Sequence, residues 1–192
     1  MKQLPECKFI LDKLLNELPK HLHYHTIEHT LDVYESVTSV AKLEGVNSSD
    51  LKLLQVAAIY HDAGYLIEKQ HHEEHSCEMA KQYLPQFKYA AEDINAICTI
   101  IMATKMPQNP KTHLEEIICD ADLDYLGRSD FFIVSKRLYK EMMELGSITN
   151  WGEWIKLQEV FLKQHHYFTK SAIHLRQAEK EKNLKIIVSK TN

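Results

Sequence analysis

The chain has 192 residues, 44% of them hydrophobic and 26% charged, which excludes a disordered or fibrous protein and leaves enough material for one self-sufficient core. A formal net charge of -4 argues against a large sequence-independent nucleic-acid surface. The apolar runs are too short for a bilayer span, and MKQLPECKFILDKLL mixes acids with apolar residues unlike a signal peptide, so a cytoplasmic protein without membrane contacts is expected.

Apolar residues recur at helical spacing along nearly the whole chain. Leu4, Cys7, Leu11, Leu14, Leu15 and Leu18 predict a first helix with one apolar face that Pro19 ends. Ile27, Leu31, Tyr34, Val37 and Val40 predict a second, from about Thr26 to a left-handed cap at Gly45. Asn47 to Asp50 offer N-caps for LKLLQVAAIYHD, which is apolar nearly all round and so predicts a central buried helix. Further helices are predicted at about 72–84, stopped by Pro85, and at about 91–103, 113–126 and 130–145. Thr112 with Glu115 has the spacing of a capping box, Gly127 and Gly146 stand where C-terminal caps belong, and KMPQNPK reads as a loop.

The stretch WGEWIKLQEVFLKQHHYF sets Trp151, Trp154, Ile155, Gln158, Phe161, Leu162 and His165 along one side, with the tryptophans read as core. A last helix starts near Thr169, and the lysine-rich end is expected to fray. Five glycines, five prolines and no long alternation leave an all-α fold, a compact bundle of about eight or nine helices. It is expected to be one domain over residues 1–182 with a lysine-rich tail at 183–192.

Cys7, Cys77, Cys98 and Cys119 form no CxxC pair and read as reduced, buried thiols. Histidine is the outlier: twelve residues, bunched at 21–29, 71–75 and 165–166. His29 follows His25 by one turn in YHTIEHTLDV, His61-Asp62 ends the most apolar helix, and Asp122 sits in CDADLDYLG. Buried imidazoles and carboxylates are costly unless they neutralise one another or share a cation. Two neutral imidazoles with two carboxylates suit a divalent metal of intermediate softness.

The succession YHTxxHTxDV, a helix ending in HDAGY, a HExxS helix and CDADLDYLGR resembles the HD-domain superfamily of metal-dependent phosphohydrolases, with its H…HD…D signature, over about residues 22–130. The resemblance implies metal ligands on separate helices: His29, His61, Asp62 and Asp122, holding one divalent ion (manganese, iron, zinc, cobalt, nickel or magnesium). Asp120 and Asp124 flank Asp122 by two residues, so normally only one of the three faces the metal. It further implies hydrolysis of a phosphoester of a nucleotide or similar small phosphorylated metabolite by attack of a metal-bound hydroxide, a monoester slightly ahead of a cyclic diester.

In that reading Asp62 holds or accepts from the attacking water. His25, which is similar to the tyrosine-histidine motif of the cyclic-nucleotide phosphodiesterase branch, or His72 protonates the departing oxygen. Lys105 and Arg128 are the candidate cations for the phosphoryl oxygens. His72 is similar to the third histidine of two-metal members, but Ala103 stands where their next histidine belongs, so any second ion is weakly bound. The same departure counts against the di-iron oxygenases of this fold. His71 and His75 are expected in solvent, and His165, His166 and Tyr167 in packing and capping. The rival reading is a non-catalytic, metal-containing module that senses a nucleotide, and a homo-oligomer is left open.

Overall fold

The computed structural model describes residues 4–190. Among them are nine α-helices and no strand: α1 (Pro5–Glu17), α2 (Ile27–Leu43), α3 (Ser48–Tyr60), α4 (His72–Tyr83), α5 (Ala91–Met102), α6 (His113–Asp122), α7 (Phe131–Glu144), α8 (Trp151–Gln164) and α9 (Lys170–Val188). Short 3-10 turns follow α3, α4 and α6 at Ala63–Leu66, Leu84–Phe87 and Asp124–Gly127. No described helix is long and apolar enough to cross a membrane.

Helix α3 is the spine, for the reason its sequence suggests. Asn47 Oδ1 accepts from the N–H groups of Ser49 and Asp50 at 3.0 Å and satisfies two donors of the first turn. Beyond that cap Leu54, Val56, Ala57, Ala58, Ile59 and Tyr60 are fully buried, as a helix apolar on every side must be. Helices α1, α2 and α5 pack around it, with α6 against α2 and α5, and together they enclose the larger apolar cluster. A second cluster gathers Tyr24, Leu126, Phe131, Trp154, Leu162 and Ile187. All four cysteines are free and buried.

Several sequence expectations shift. Helix α6 stops at Asp122 rather than near 126. Gly127 is not a left-handed cap: a Cβ there would stand 2.4 Å from the carbonyl oxygen of Arg176, so glycine is needed for the close approach of α9. Gly45 and Gly146 do take the left-handed conformation, at φ +71° and +66°. Thr112 Oγ1 accepts from the Glu115 N–H at 3.4 Å, but Glu115 reaches back to the Lys111 N–H, at 2.6 Å, instead of to Thr112. Leu15 and Trp151, expected on buried faces, are 65% and 45% exposed.

The expected tail is the largest difference. Helix α9 runs on to Val188, with Lys180, Asn183 and Ile187 buried. These positions lie three and seven residues apart, one helix face hidden inside an ionic composition. Asn183 Nδ2 donates to the carbonyls of Leu126 at 3.0 Å and Arg128 at 3.2 Å, which ties the end of the chain to the turn after α6. Of the tail, 191–192 lie outside the described residues.

Candidate metal centre

Three helices meet over one point. The first turn of α2 carries His29, the end of α3 passes into His61 and Asp62, and α6 finishes on Asp122. One ligand atom each from His29, His61 and Asp122 lie within 4.8 Å of one another. His29 Nε2 is 3.2 Å from Asp122 Oδ1 and 3.5 Å from Asp62 Oδ2; His61 Nε2 is 3.6 Å and 3.3 Å from the same two oxygens. His61 Nδ1 donates to the Ala58 carbonyl at 2.7 Å, which fixes the ring and leaves Nε2 as the inward atom.

His29 Nε2, His61 Nε2 and Asp62 Oδ2 are buried with no hydrogen-bond partner among the described residues. Atoms of this kind are costly inside a protein. A divalent cation among His29, His61 and Asp122 would meet the two unpaired nitrogens, with Asp62 Oδ2 beside the same nitrogens as a further donor, and a set of two nitrogens and two carboxylates suits an intermediate metal such as manganese, iron, zinc, cobalt or nickel. The residues present therefore fit a metal.

Protons compete for the same atoms. Burial lowers the pKa of His61, but the Asp62 and Asp122 carboxylates beside it reverse this and leave it well above its ordinary value. Burial likewise pushes the Asp122 carboxyl up, and the His29 and His61 imidazoles outweigh it and hold it at about 2. A metal must displace the imidazole proton, so uptake at neutral pH is expected to release protons and affinity to fall as pH drops. Titration calorimetry in two buffers of different ionisation enthalpy checks this; equal heats would mean no proton leaves.

The neighbouring aspartates are committed elsewhere. Asp120 accepts from the N–H of Phe168 and the N–H and hydroxyl of Thr169 at 2.7–2.8 Å, and so anchors the start of α9. Asp124 receives Arg176 at 2.6 and 3.1 Å. Of the three aspartates, Asp122 is the one the fold turns toward the histidines.

The centre opens into a cavity of about 660 Å³, lined among others by His25, Asp62, Tyr65, His72, Lys105 and Asp122. The Tyr65 ring lies between two imidazoles, 4.3 Å from the ring centres of both His25 and His72, and its hydroxyl is 3.1 Å from His25 Nε2. On its other side His25 Nδ1 donates to Glu141 Oε1. Glu141 Oε2 accepts three successive backbone N–H groups, from His23 and Tyr24 at 2.8 Å and from His25 at 3.1 Å. Burial pushes the Glu141 carboxyl up, but His25 and these amides more than reverse it, to about 2. Sequence reading missed both Glu141 and Tyr65. The signal for Glu141 was a carboxylate within the apolar stripe of α7, between Leu138 and Met142.

His72 Nε2 stands 3.4 Å from Asp62 Oδ1, while Nδ1 donates to the Lys69 carbonyl at 3.2 Å. Gly64 permits this approach, because a Cβ there would lie 1.9 Å from the His72 carbonyl oxygen. Gly64→Ala is expected to push α4 away and cost at least about 2 kcal/mol, lowering Tm by about 5 °C. Differential scanning calorimetry reads this directly; an unchanged Tm would contradict the close fit.

The candidate cations fare differently. Lys105 reaches the cavity wall but is paired with Glu74. Arg128, expected to bind substrate, does not line the cavity: it binds Asp130 at 2.9 Å and Asp32 at 2.7 Å, with Asp124 3.5 Å away. Three nearby carboxylates hold the guanidinium there. His71 is exposed, whereas His75 is half-buried between Glu68 and Glu78 rather than in solvent. His165, His166 and Tyr167 are not part of the cavity wall.

Compared with known proteins, residues 26–124, 99 of the 192, match the family model described as HD domain. The crystal structure of a predicted HD superfamily hydrolase from an uncultured Thermotogales bacterium is similar in fold, with a TM-score of 0.61 and 20% identity over 98% of this chain and 91% of that one. No curated protein matches the sequence. The matched segment runs from the residue before α2 to the turn after α6 and so contains every side chain that converges on the centre; this chain belongs to the HD-domain family.

Proposed function

We propose that the protein is a metal-dependent phosphohydrolase acting on the phosphoester of a nucleotide or a similar small phosphorylated metabolite, a monoester ahead of a cyclic diester. The observation that carries this reading is the convergence of buried, unpartnered His29 Nε2, His61 Nε2 and Asp62 Oδ2 with Asp122 beside a cavity. One tightly held ion per chain is the expectation, since Ala103 offers no ligand for a second.

A divalent cation on these four side chains supplies Lewis acidity toward a phosphoryl oxygen and toward water. The remaining steps belong to the chain. Asp62 Oδ1, the oxygen near His72, accepts a proton from the attacking water. His25 Nε2 delivers a proton to the departing oxygen, with Glu141 gripping Nδ1–H so that Nε2 is held in place. His72, whose Nδ1–H is held by the Lys69 carbonyl, is the second candidate donor. Lys105 is the lysine assigned to the phosphoryl oxygens, with part of its charge offset by Glu74.

Metal analysis of the purified protein, followed by product release from a nucleotide panel and a generic phosphodiester with added manganese, nickel, cobalt, magnesium or zinc, tests the reading. Near one metal per chain with turnover, both lost in His61→Ala, supports it. Bound metal without turnover on any compound favours a nucleotide-sensing module, and no metal at all overturns the four-ligand assignment.

A further inference from the structure

Two of the four cysteines face one another away from the cavity. Cys77 of α4 and Cys98 of α5 lie on helices packed side by side, and neither is part of the cavity wall. Cys77 Sγ is 3.4 Å from the Cys98 carbonyl oxygen, and Cys98 Sγ is 3.7 Å from the Cys77 carbonyl oxygen. The two thiols are hydrogen-bonded to one another as well. Reciprocal contact of this kind needs both side chains to point into the same gap, the first condition for a disulfide. Cys7 and Cys119 are unlike this pair: both are 0% exposed and burial pushes their thiols up, whereas Cys77 and Cys98 are 6% and 8% exposed. The bond from Cys77 holds the Cys98 thiol below its ordinary value against burial, and Lys81 helps. Such a sulfur is the better nucleophile of the two.

Cys77 also stands next to a link with the metal centre. The fully buried Ser76 donates from Oγ to the His61 carbonyl at 2.7 Å and accepts from the Gly64 N–H at 2.8 Å. That hydroxyl ties α4 to the segment that carries His61 and Asp62. We propose that Cys77 and Cys98 form a reversible disulfide whose closure strains the Ser76 link and weakens metal binding. With a hydroperoxide as oxidant, the Cys98 sulfur attacks one peroxide oxygen, the O–O bond breaks, and the released hydroxide takes up the thiol proton to leave as water. The Cys77 sulfur then attacks the sulfenic sulfur of Cys98: the S–S bond forms, the S–O bond breaks, and hydroxide leaves with the Cys77 proton as a second water. The two thiols lose two electrons in total and the peroxide gains them. A dithiol reductant reverses the step and is itself oxidised to a disulfide. Closing the sulfurs to about 2.05 Å pulls Cys77 toward α5 while Ser76, its neighbour, is held by His61 and Gly64. The inference uses the metal centre but not the hydrolase reading, because no readout requires turnover.

The metal-free full chain is treated with hydrogen peroxide, freed of it, digested and mapped by mass spectrometry, and manganese binding is measured by calorimetry on the reduced, oxidised and re-reduced chain. The expected map joins the Cys77 and Cys98 peptides and leaves Cys7 and Cys119 open to alkylation after unfolding. Manganese binding is expected to weaken about 10-fold, the effect that lost support around a metal ligand has on affinity, and to recover with dithiothreitol. Cys98→Ala and Cys77→Ala each remove the cross-link and are expected to bind manganese equally before and after peroxide. One folded variant suffices, and wild type alone decides whether the bond forms. Oxidation without the cross-link, a cross-link that leaves manganese affinity unchanged, or equal weakening in the alanine variants overturns the proposal. A chain that never takes up manganese removes the metal centre and this coupling together, whereas metal-dependent turnover without a disulfide sustains the hydrolase reading and removes the coupling alone.

Discussion

His61→Ala is expected to cost both the metal and at least about a thousandfold of kcat/KM, since metal-borne charge stabilisation of a phosphoryl transition state is worth several kcal/mol. The ring is locked by its bond to Ala58 and is 1% exposed, and alanine has no atom that reaches the position of Nε2. Asp62 and Asp122 then lose the imidazole that helps hold their carboxyls low. Metal-free wild-type protein keeps both imidazoles beside the two carboxylates as a partial substitute for the cation; the alanine variant is left with His29 alone. Its Tm is therefore expected to fall below that of chelator-treated wild type, and added metal to raise wild-type Tm but leave the variant unmoved. Elemental analysis, kinetics and paired melting curves check the three parts. A variant with native metal content and turnover would remove His61 from the centre.

Glu141→Ala is expected to be the most damaging change outside the ligands. It deprives three consecutive backbone N–H groups and His25 of their acceptor in a site where the carboxylate is 1% exposed. At about 1 kcal/mol or more for each of the four lost bonds, the cost is about 4 kcal/mol or greater. Glu141→Gln separates structure from proton chemistry. Its amide oxygen can still take the backbone N–H groups, but the neutral amide no longer offers His25 the negative charge that supports a ring carrying hydrogen on both nitrogens, which donation from Nε2 requires, so kcat is expected to fall about 100-fold.

The pH dependence follows from the carboxyl being held at about 2 instead of 4.5. A depressed acid contributes stability that is present above pH 4.5 and lost as pH falls from there toward 2. The shift corresponds to about 3 kcal/mol at full effect. Urea unfolding at pH 7, 5 and 3 measures it: wild type is expected to lose more stability than Glu141→Gln over the acid range. Parallel curves for the two proteins would show that Glu141 is not the titrating group.

The candidate ligands were legible because their chemistry conflicts with their surroundings. His61-Asp62 closes the most apolar helix in the chain, and Asp122 stands between Ile117-Ile118 and Leu126. Such groups require a partner; helix spacing says that normally only one of Asp120, Asp122 and Asp124 faces a metal, and the resemblance to the family signature points to Asp122. The two bystanders' actual partners, Thr169 and Arg176, lie 49 and 52 residues away, and nothing in the local pattern names them.

The same distance in sequence explains the other misses. Arg128 looked available because Asp32, its partner from 96 residues earlier, is invisible until α2 and the turn after α6 are packed together. Glu141 grips a loop 116 residues earlier. The two tryptophans read alike as core, yet only Trp154 is buried while Trp151 is 45% exposed, a difference that packing between helices decides.

From the sequence alone came the helical class, most helix boundaries and the central place of α3, while the candidate ligand set came from the resemblance to the HD-domain signature. The first three depend on interactions within about one helical turn, where apolar periodicity, caps and glycines act. Only the tertiary structure decided that the C-terminal stretch is a packed helix, that Arg128 faces away, that Glu141 holds His25 and that α8 walls the cavity. Those outcomes are set by which surfaces the folded chain brings together, and contacts between residues 50 to 100 positions apart leave no periodic trace in the local sequence.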